Sequence, residues 1–210
     1  MRVTLLGVPG AGKGTQAGIL SKKLDLPIIS TGNLLRAAIE SGTDLGMCVK
    51  DQIARGELVL DQIALDLVET RLSLEDCKEG CILDGVPRTL FQAKGLEEMD
   101  LHIDYCLLFD VADEIIIDRL AGRRTCPACG GTFHLTANPP RREGLCDHCE
   151  TPLYIREDDT EETIIRRLNI FRNWTAPLID YYKGQGALRI IPSAGTVEET
   201  TNYVLEAIKS

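Results

Sequence analysis

The sequence contains few aromatic residues, few histidines, and fewer basic than acidic residues. Of its 210 residues, 5% are aromatic and three are His, and 23 Lys and Arg stand against 32 Asp and Glu, giving a formal net charge of -9. A protein whose whole surface coats nucleic acid or an anionic membrane needs a broad basic face. The composition excludes that class, although it leaves room for local basic clusters.

The sequence also lacks long apolar runs. A membrane-spanning helix needs about 20 consecutive, mainly apolar residues, and the chain contains no such run. The first residues, MRVTLLGVPG, include too few apolar residues before the glycines to form the apolar region of a signal peptide. We therefore expect a cytoplasmic protein that does not bind membranes.

Short apolar runs alternate with segments of helical spacing along most of the chain. The runs are RVTLLG, PIIS, CILDG, YCLLFDV and LRIIP. Helical spacing occurs in TQAGILSKKL, NLLRAAIES, DQIALDLVETRLS, TIIRRLNIFRNWTAPLIDYY and VEETTNYVLEAI. Five short buried strands that alternate with helices predict an α/β fold, with a five-stranded parallel sheet flanked by helices on both faces.

Residues 122–159 interrupt this alternation and contain the pattern C-x2-C-x16-C-x2-C, formed by Cys126, Cys129, Cys146 and Cys149. Two CxxC turns can present four thiolates to a tetrahedral Zn²⁺. Four thiolates leave no coordination position for a substrate, so we predict a structural zinc site. A metal can also order a segment that is too poor in apolar residues to form its own core. The remaining cysteines are predicted to be small buried residues: Cys48, Cys77, Cys81 and Cys106.

The stretch GVPGAGKGT follows the first predicted strand and precedes the first predicted helix. Gly7 and Gly12 are followed by Lys13 at the spacing of a phosphate-binding loop. In such a loop, backbone N–H groups and the helix N-terminus face phosphate oxygens, and the lysine supplies a cation. The usual pattern has Ser or Thr directly after the lysine, whereas Gly14 here precedes Thr15. The sequence therefore predicts phosphate binding without establishing a hydroxyl ligand for magnesium.

Several motifs together resemble those of adenylate kinases: GVPGAGKGT, STGNLLR, GELV, DGVPRT, AGRR, REDD and ETIIRRL. Their order and approximate spacing match that family along essentially the whole chain, and the cysteine-containing segment is similar to the long zinc-containing lid of many bacterial members. The resemblance implies a P-loop kinase fold. Its core comprises residues 1–29, 60–121 and 160–210, with a helical AMP-binding insertion at 30–59 and a small zinc-bound lid at 122–159.

The resemblance implies reversible, Mg²⁺-dependent phosphoryl transfer from ATP to AMP, which gives two ADP and serves adenine nucleotide homeostasis. Such a reaction depends on gathering and aligning phosphates, and the planar guanidinium of arginine holds two phosphate oxygens at once. The implied catalytic residues are Lys13, Arg88, Arg123, Arg156 and Arg167.

The resemblance also implies the residues of two nucleotide sites. The ATP site is expected to comprise Gly10, Ala11, Gly12, Lys13, Gly14, Thr15, Arg119, Arg123, Thr132, Phe133 and Gly195. The AMP site is expected to comprise Thr31, Arg36, Glu57, Leu58, Val59, Gly85, Val86, Pro87, Arg88, Gln92, Arg156 and Arg167. Gln92 is expected to contact the adenine edge, and Glu57 to Val59 to act through their backbone. Asp84 is expected to hold Mg²⁺ through water, whereas Asp158 and Asp159 are expected to orient arginines.

Three positions depart from the commonest pattern of the family. Asn33 stands where Asp is usual, Val86 where Phe is usual, and Phe133 where Tyr is common. None of these changes removes a phosphate-binding cation. They therefore bear on affinity and site electrostatics more than on the type of reaction.

Two other functions compete with this hypothesis. A kinase for another nucleoside monophosphate, such as UMP or CMP, fits the same motifs, but the long zinc lid argues against it. A zinc module that binds nucleic acid would use the basic residues of the lid, but this segment has few aromatic residues for base stacking. We therefore expect ATP, AMP and ADP as partners, no nucleic acid, and a monomer. The basic residues in question are Arg123, Arg124, Arg141 and Arg142.

Overall fold

A computed structural model describes residues 1–209 of the chain. Its strands are β1 (Arg2–Leu6), β2 (Ile28–Ser30), β3 (Cys81–Asp84), β4 (Tyr105–Asp110), β5 (Arg123–Thr125), β6 (Thr132–His134) and β7 (Leu188–Pro192). Its α-helices are α1 (Lys13–Leu24), α2 (Thr31–Glu40), α3 (Asp44–Ala54), α4 (Asp61–Leu72), α5 (Leu90–Glu98), α6 (Asp113–Ala121), α7 (Glu161–Ile170), α8 (Pro177–Gly184) and α9 (Val197–Ala207).

The main sheet contains five parallel strands in the order β2, β3, β1, β4, β7. All five predicted strands are therefore confirmed. Apolar side chains on the central strands, such as Val3, Leu5, Ile82 and Leu107, are almost fully buried. Burial of such side chains on both faces of the sheet is what produces continuous apolar runs in the sequence, in place of the alternating pattern of a half-exposed sheet.

The carboxyl ends of β1 and β3 lie side by side at one edge of the sheet, where Leu5 is paired with Asp84. The glycine-rich loop leaves this edge from β1, and α2 begins there directly after β2. In open α/β sheets, ligands bind in the crevice at this edge. The topology thus brings the loop, Asp84 and the start of α2 to one place.

The segment 163–182 is helical, as the sequence predicts, but its α-helical hydrogen bonding is interrupted. Helix α7 ends at Ile170, and a π-helical turn, Phe171–Thr175, separates it from α8. The backbone N–H of Ala176 donates to the carbonyl of Phe171 at 2.8 Å, which is the five-residue spacing of a π turn. Pro177 follows, and because proline has no N–H, it cannot donate the hydrogen bond of a continuing helix.

Residues 122–159 form little regular structure, as the sequence predicts. Strands β5 and β6 pair antiparallel, and an isolated antiparallel bridge joins Thr125 to Tyr154. The apolar centre of this segment consists of two cysteines, Cys126 and Cys146, with Phe133 and the partly buried Leu153.

Three of the four cysteines outside the CxxC pairs are buried, as predicted: Cys77, Cys81 and Cys106. Cys48 is exposed, so its predicted burial is wrong. It lies on α3, where the neighbouring Val49 faces the core. Within the part of the chain that the structure describes, no helix has the length and apolar character to cross a bilayer.

Candidate active site

The glycine-rich loop forms the turn between β1 and α1, as its pattern predicts. Gly12 precedes the first residue of α1 and has a φ of 94°, a left-handed value that favours glycine. At Gly10, a Cβ atom would lie 2.9 Å from the side chain of Leu120. The loop therefore needs glycine both for its backbone conformation and for its close packing on α6.

Lys13 is the first residue of α1, and its side chain folds over the loop. Its Nζ donates hydrogen bonds to the carbonyls of Gly7 at 2.7 Å and Val8 at 2.8 Å. The pKa of Lys13 is lowered to about 7, mainly by burial and also by neighbouring arginines, while the Asp84 carboxylate opposes the shift. The two carbonyls favour the charged ammonium. A phosphate at this position would supply the counter-charge that burial and the arginines make necessary.

Asp84 ends β3 and faces the same loop. Ser30 Oγ donates to Asp84 Oδ2 at 3.4 Å. A Cβ atom on Gly14 would lie 3.8 Å from Asp84 Oδ2 and 3.7 Å from Thr132 Oγ1, so the sheet and the lid segment approach Gly14 from two sides. A carboxylate beside a phosphate-binding loop suits Mg²⁺, which binds through carboxylates, waters and substrate phosphates.

Asp158 and Asp159 hold two of the predicted arginines. Arg123 donates through Nε to Asp159 Oδ2 at 2.7 Å and contacts the other carboxylate oxygen through Nη2. Arg167 Nη1 donates to Asp158 Oδ2 at 2.9 Å and to Asp159 Oδ1 at 3.4 Å. The structure thus pairs both carboxylates with arginines, in line with the prediction that they orient these side chains.

Positive charge outweighs negative charge in this site. The pKa of Arg156 is lowered to about 9 and that of Arg167 to about 10, mainly by burial and in part by the neighbouring Arg123. A guanidinium that is buried beside other guanidinium groups is stabilised by an added anion. Six basic side chains stand against three carboxylates, Asp84, Asp158 and Asp159, so positive charge is in excess even when Lys13, with its pKa of about 7, is neutral. The cations are Lys13, Arg36, Arg88, Arg123, Arg156 and Arg167.

A cavity of about 50 Å³ lies beside these cations, between the sheet edge and the segment 30–59. Most of the residues predicted to bind AMP line it: Thr31, Arg36, Glu57, Leu58, Val59, Gly85, Arg88, Gln92 and Arg167. The Glu57 carboxylate pairs with Arg55 at 2.8 Å on the surface.

Two residues predicted beside this cavity, Val86 and Pro87, are buried outside its lining. Val86 is fully covered and packs among core residues, and its carbonyl accepts a hydrogen bond from Thr4 Oγ1 at 2.9 Å. Pro87 is also buried. The third predicted residue outside the cavity lining, Arg156, donates from Nε to Thr125 Oγ1 at 3.0 Å and lies on the lid side of the site.

The residues predicted to bind the second nucleotide's base are divided between lid and core. Arg119 Nη2 donates to the carbonyl of Gly195 at 3.3 Å, so these two residues are in contact. Thr132 faces the glycine-rich loop. The side chain of Phe133 packs inside the lid, 6.0 Å from the ring of His148 between centroids. Contact between Phe133 and a base would therefore use its backbone.

The lid segment and the segment 30–59 touch each other. A Cβ atom on Gly130 would lie 2.5 Å from Asn33 Nδ2, and Asn33 Oδ1 accepts a hydrogen bond from Arg36 Nη2 at 2.6 Å. The structure thus has both segments folded over the cationic site.

The four CxxC cysteines form one cluster. Their Sγ atoms all lie within 4.8 Å of one another, with Cys126 and Cys149 at 3.4 Å and Cys129 and Cys146 at 3.5 Å. Four thiolates at about 2.3 Å from one tetrahedral ion have sulfur separations of roughly 3.8 Å. The cluster therefore has the donor set and the compactness to bind a metal ion.

Three residues that support the site were missed from the sequence. Ser193 Oγ, just after β7, donates to the carbonyl of Ala11 in the glycine-rich loop at 2.6 Å. Thr175 Oγ1, in the π turn, donates to the carbonyl of Arg88 at 2.9 Å. Gln16 is buried and bridges α1 to α9 through Thr201 Oγ1 at 3.0 Å. Each contact joins residues far apart in the chain, so no local pattern marks it.

Comparisons with known proteins agree with this geometry. A model of the family described as adenylate kinase matches residues 5–187. The chain is 49% identical to the adenylate kinase of Caldicellulosiruptor bescii over 212 aligned positions, which cover 99% of each chain. It is 46% identical to that of Ruminiclostridium cellulolyticum, again over 99% of each. With that of Clostridium novyi it shares 44% identity over 100% of this chain and 99% of the relative.

Proposed function

The chain belongs to the adenylate kinase family and catalyses phosphoryl transfer from ATP to AMP, giving two ADP, and we propose that it does so with the cationic site described above. The glycine-rich loop, Gly10 to Thr15, binds the ATP phosphates. The cavity beside α2 binds AMP. The excess of positive charge between these two places is the main support for this assignment, because donor and acceptor phosphates must meet there.

The cations lower the activation barrier of phosphoryl transfer by stabilising the negative charge of the transferring phosphoryl group. Phosphoryl transfer needs little covalent chemistry from the protein and depends on alignment and on stabilising charge on the transferring group. Lys13 faces the phosphates of ATP, and Arg88 faces that of AMP. Arg123, Arg156 and Arg167 lie between them. The lowered pKa values of Arg156 and Arg167, and the ion pairs of Arg123 and Arg167, indicate dense positive charge there.

Neighbouring residues orient the arginines of the proposed site. The carboxylates of Asp158 and Asp159 fix the guanidinium planes, and Thr175 fixes the backbone of Arg88. The two segments that cover the site exclude water, which strengthens these interactions and prevents hydrolysis of ATP. We propose that the segments 30–59 and 122–159 open to exchange nucleotides and close over them during the reaction.

We propose two metal ions, one with the ATP phosphates and one in the cysteine cluster. Mg²⁺ accompanies ATP, and its charge would offset that of the phosphates; Asp84 is the residue placed to hold it through water. Zn²⁺ in the cysteine cluster would be structural, because the four thiolates complete a tetrahedral shell. We also propose that the protein is a cytoplasmic monomer; the residues assigned to both nucleotide sites come from one chain, which supports the monomer.

Substitution of Lys13 and Arg88 tests the assignment. Lys13→Met and Arg88→Met are each expected to reduce kcat by about a hundredfold or more, because one contact to developing charge contributes roughly 3 kcal/mol. Lys22→Met, on the exposed face of the same helix as Lys13, is the matched control and should retain wild-type turnover. Turnover within a few fold of wild type for either site variant, in a folded protein, would exclude the proposed site.

A further inference from the structure

A hydrogen-bond network lies beneath the AMP cavity and centres on Gln92. Gln92 is the third residue of α5 and is 2% exposed, but its side chain lines the cavity. Its Nε2 donates to Asp61 Oδ1 at 2.7 Å, and its Oε1 accepts from the backbone N–H of Arg88 at 2.7 Å. Asp61 begins α4 and also accepts from Thr89 Oγ1 at 3.0 Å.

The two partners of Gln92 determine which way its amide points. A carboxylate only accepts hydrogen bonds, and a backbone N–H only donates. The NH₂ end of Gln92 must therefore face Asp61, and its carbonyl end must face Arg88. In the flipped orientation, two acceptors would meet at Asp61 and two donors at Arg88.

This orientation leaves Gln92 one N–H on Nε2 and one lone pair on Oε1, in a fixed order. The edge of adenine presents an amino donor at C6 and an acceptor at N1. A 6-oxopurine presents the reverse, an acceptor at C6 and a donor at N1. A freely rotating amide matches either edge, whereas a fixed amide matches only one of them.

We propose that Asp61 is a positioning residue for acceptor selectivity: it fixes the amide of Gln92 in the orientation that matches adenine and opposes 6-oxopurine monophosphates. The inference rests on the proposed function, in which the cavity binds AMP and Gln92 contacts its base. Asp61 does not line the cavity. It acts through Gln92, from the position where α4 meets α5.

Inosine monophosphate is the probe that isolates this effect. Its base differs from adenine by the exchange of donor and acceptor at C6 and N1, and unlike guanine it carries no amino group at C2. The measured quantity is the ratio of kcat/KM for IMP to kcat/KM for AMP. A variant that merely weakens the fold changes both values together and leaves this ratio unchanged.

Asp61→Asn is the principal variant. The Asn side chain has nearly the same size but can either accept or donate, so it pairs with both orientations of Gln92. The ratio of kcat/KM for IMP to that for AMP is expected to rise about tenfold, the scale of one hydrogen bond to a charged group. AMP should remain the better acceptor, because the backbone N–H of Arg88 still favours the original orientation of Gln92. Asp61→Ser, whose hydroxyl also donates and accepts, is the second variant and should shift the ratio in the same direction.

Asp66→Asn is the matched control, because Asp66 accepts a hydrogen bond from Gln62 Nε2 at 2.8 Å on the exposed face of the same helix. It should leave the ratio unchanged. A folded Asp61→Asn protein with the wild-type ratio would overturn the proposal while leaving the AMP site intact. Gln92→Leu separates the two claims: if it too leaves the ratio unchanged, the base is not recognised at Gln92 and the site assignment itself fails.

Discussion

Loss of the metal from the cysteine cluster should reduce stability before it reduces catalysis. Apart from the cysteines, the apolar centre of the lid contains only Phe133 and Leu153. Burial of two such side chains contributes about 3–6 kcal/mol, whereas structural zinc sites have apparent binding free energies of about 10–16 kcal/mol. The metal is therefore the larger source of order in this segment.

Cys129→Ser removes one of the four ligands and should lower the free energy of unfolding by about 4 kcal/mol or more, as expected for a lost structural metal. For a chain of this length, 4 kcal/mol corresponds to a fall of about 8–16 °C in Tm. Well below the new Tm, turnover should stay substantial, because Arg123 and Arg167 are held by carboxylates and not by the metal.

The assay combines metal content per chain, thermal melting by circular dichroism, and turnover at low temperature. Cys48→Ser, at the exposed cysteine outside the cluster, is the matched control and should retain metal, Tm and turnover. If metal removal abolished turnover at low temperature while melting stayed unchanged, the metal would be catalytic and the reasoning would be refuted.

Four further predictions follow from the site and the lid. AMP should be phosphorylated far more efficiently than CMP or UMP in a coupled assay, and equal efficiency would contradict adenine selectivity. The pKa of Lys13 is lowered to about 7, and a bound phosphate must raise it, so ATP binding at pH 8.5 should take up close to one proton and the affinity for ATP should fall as the pH rises above 7. Calorimetry in buffers of different ionisation enthalpy measures the proton uptake, and Lys13→Met should abolish that uptake. A mimic joining two adenosines should slow hydrogen exchange in both 30–59 and 122–159, and unchanged exchange in both would argue against closure. Glu150 has a φ of 57°, a left-handed value that glycine adopts more readily, so Glu150→Gly should stabilise the lid by about 1 kcal/mol. Slower hydrogen exchange of the lid amides would show this stabilisation, and an unchanged exchange rate would disprove it.

The sheet and the glycine-rich loop were predictable because local sequence determines them. Strands buried on both faces are apolar throughout, and the loop needs glycines at fixed positions, as Gly12 illustrates. The π turn was not predictable, since the apolar spacing continues across Phe171–Thr175 while the backbone changes its hydrogen-bond register at Pro177.

The site was predictable as a set of residue types but not as a set of orientations. The motifs identify Phe133, but the side chain faces the lid interior because the cysteine cluster provides the apolar contact there. They identify Gln92, but not that Asp61, 31 positions earlier, determines which end of its amide faces Arg88. Such pairings depend on how α4 and α5 pack, and no short stretch of sequence encodes that.

The isolated β-bridge between Thr125 and Tyr154 separates the cysteine-containing part of the lid from the part that carries Arg123 and Arg156. Two backbone hydrogen bonds of 2.9 Å close it. All four cysteines lie inside the closed loop, whereas Arg123 and Arg156 lie outside it on the side of the core. A shorter or metal-free replacement grafted at this bridge would retain both arginines in the chain, but it would also remove Thr132 and the strand β6 that pairs with Arg123. Such a graft changes heat tolerance and metal demand without loss of turnover only if it rebuilds those contacts.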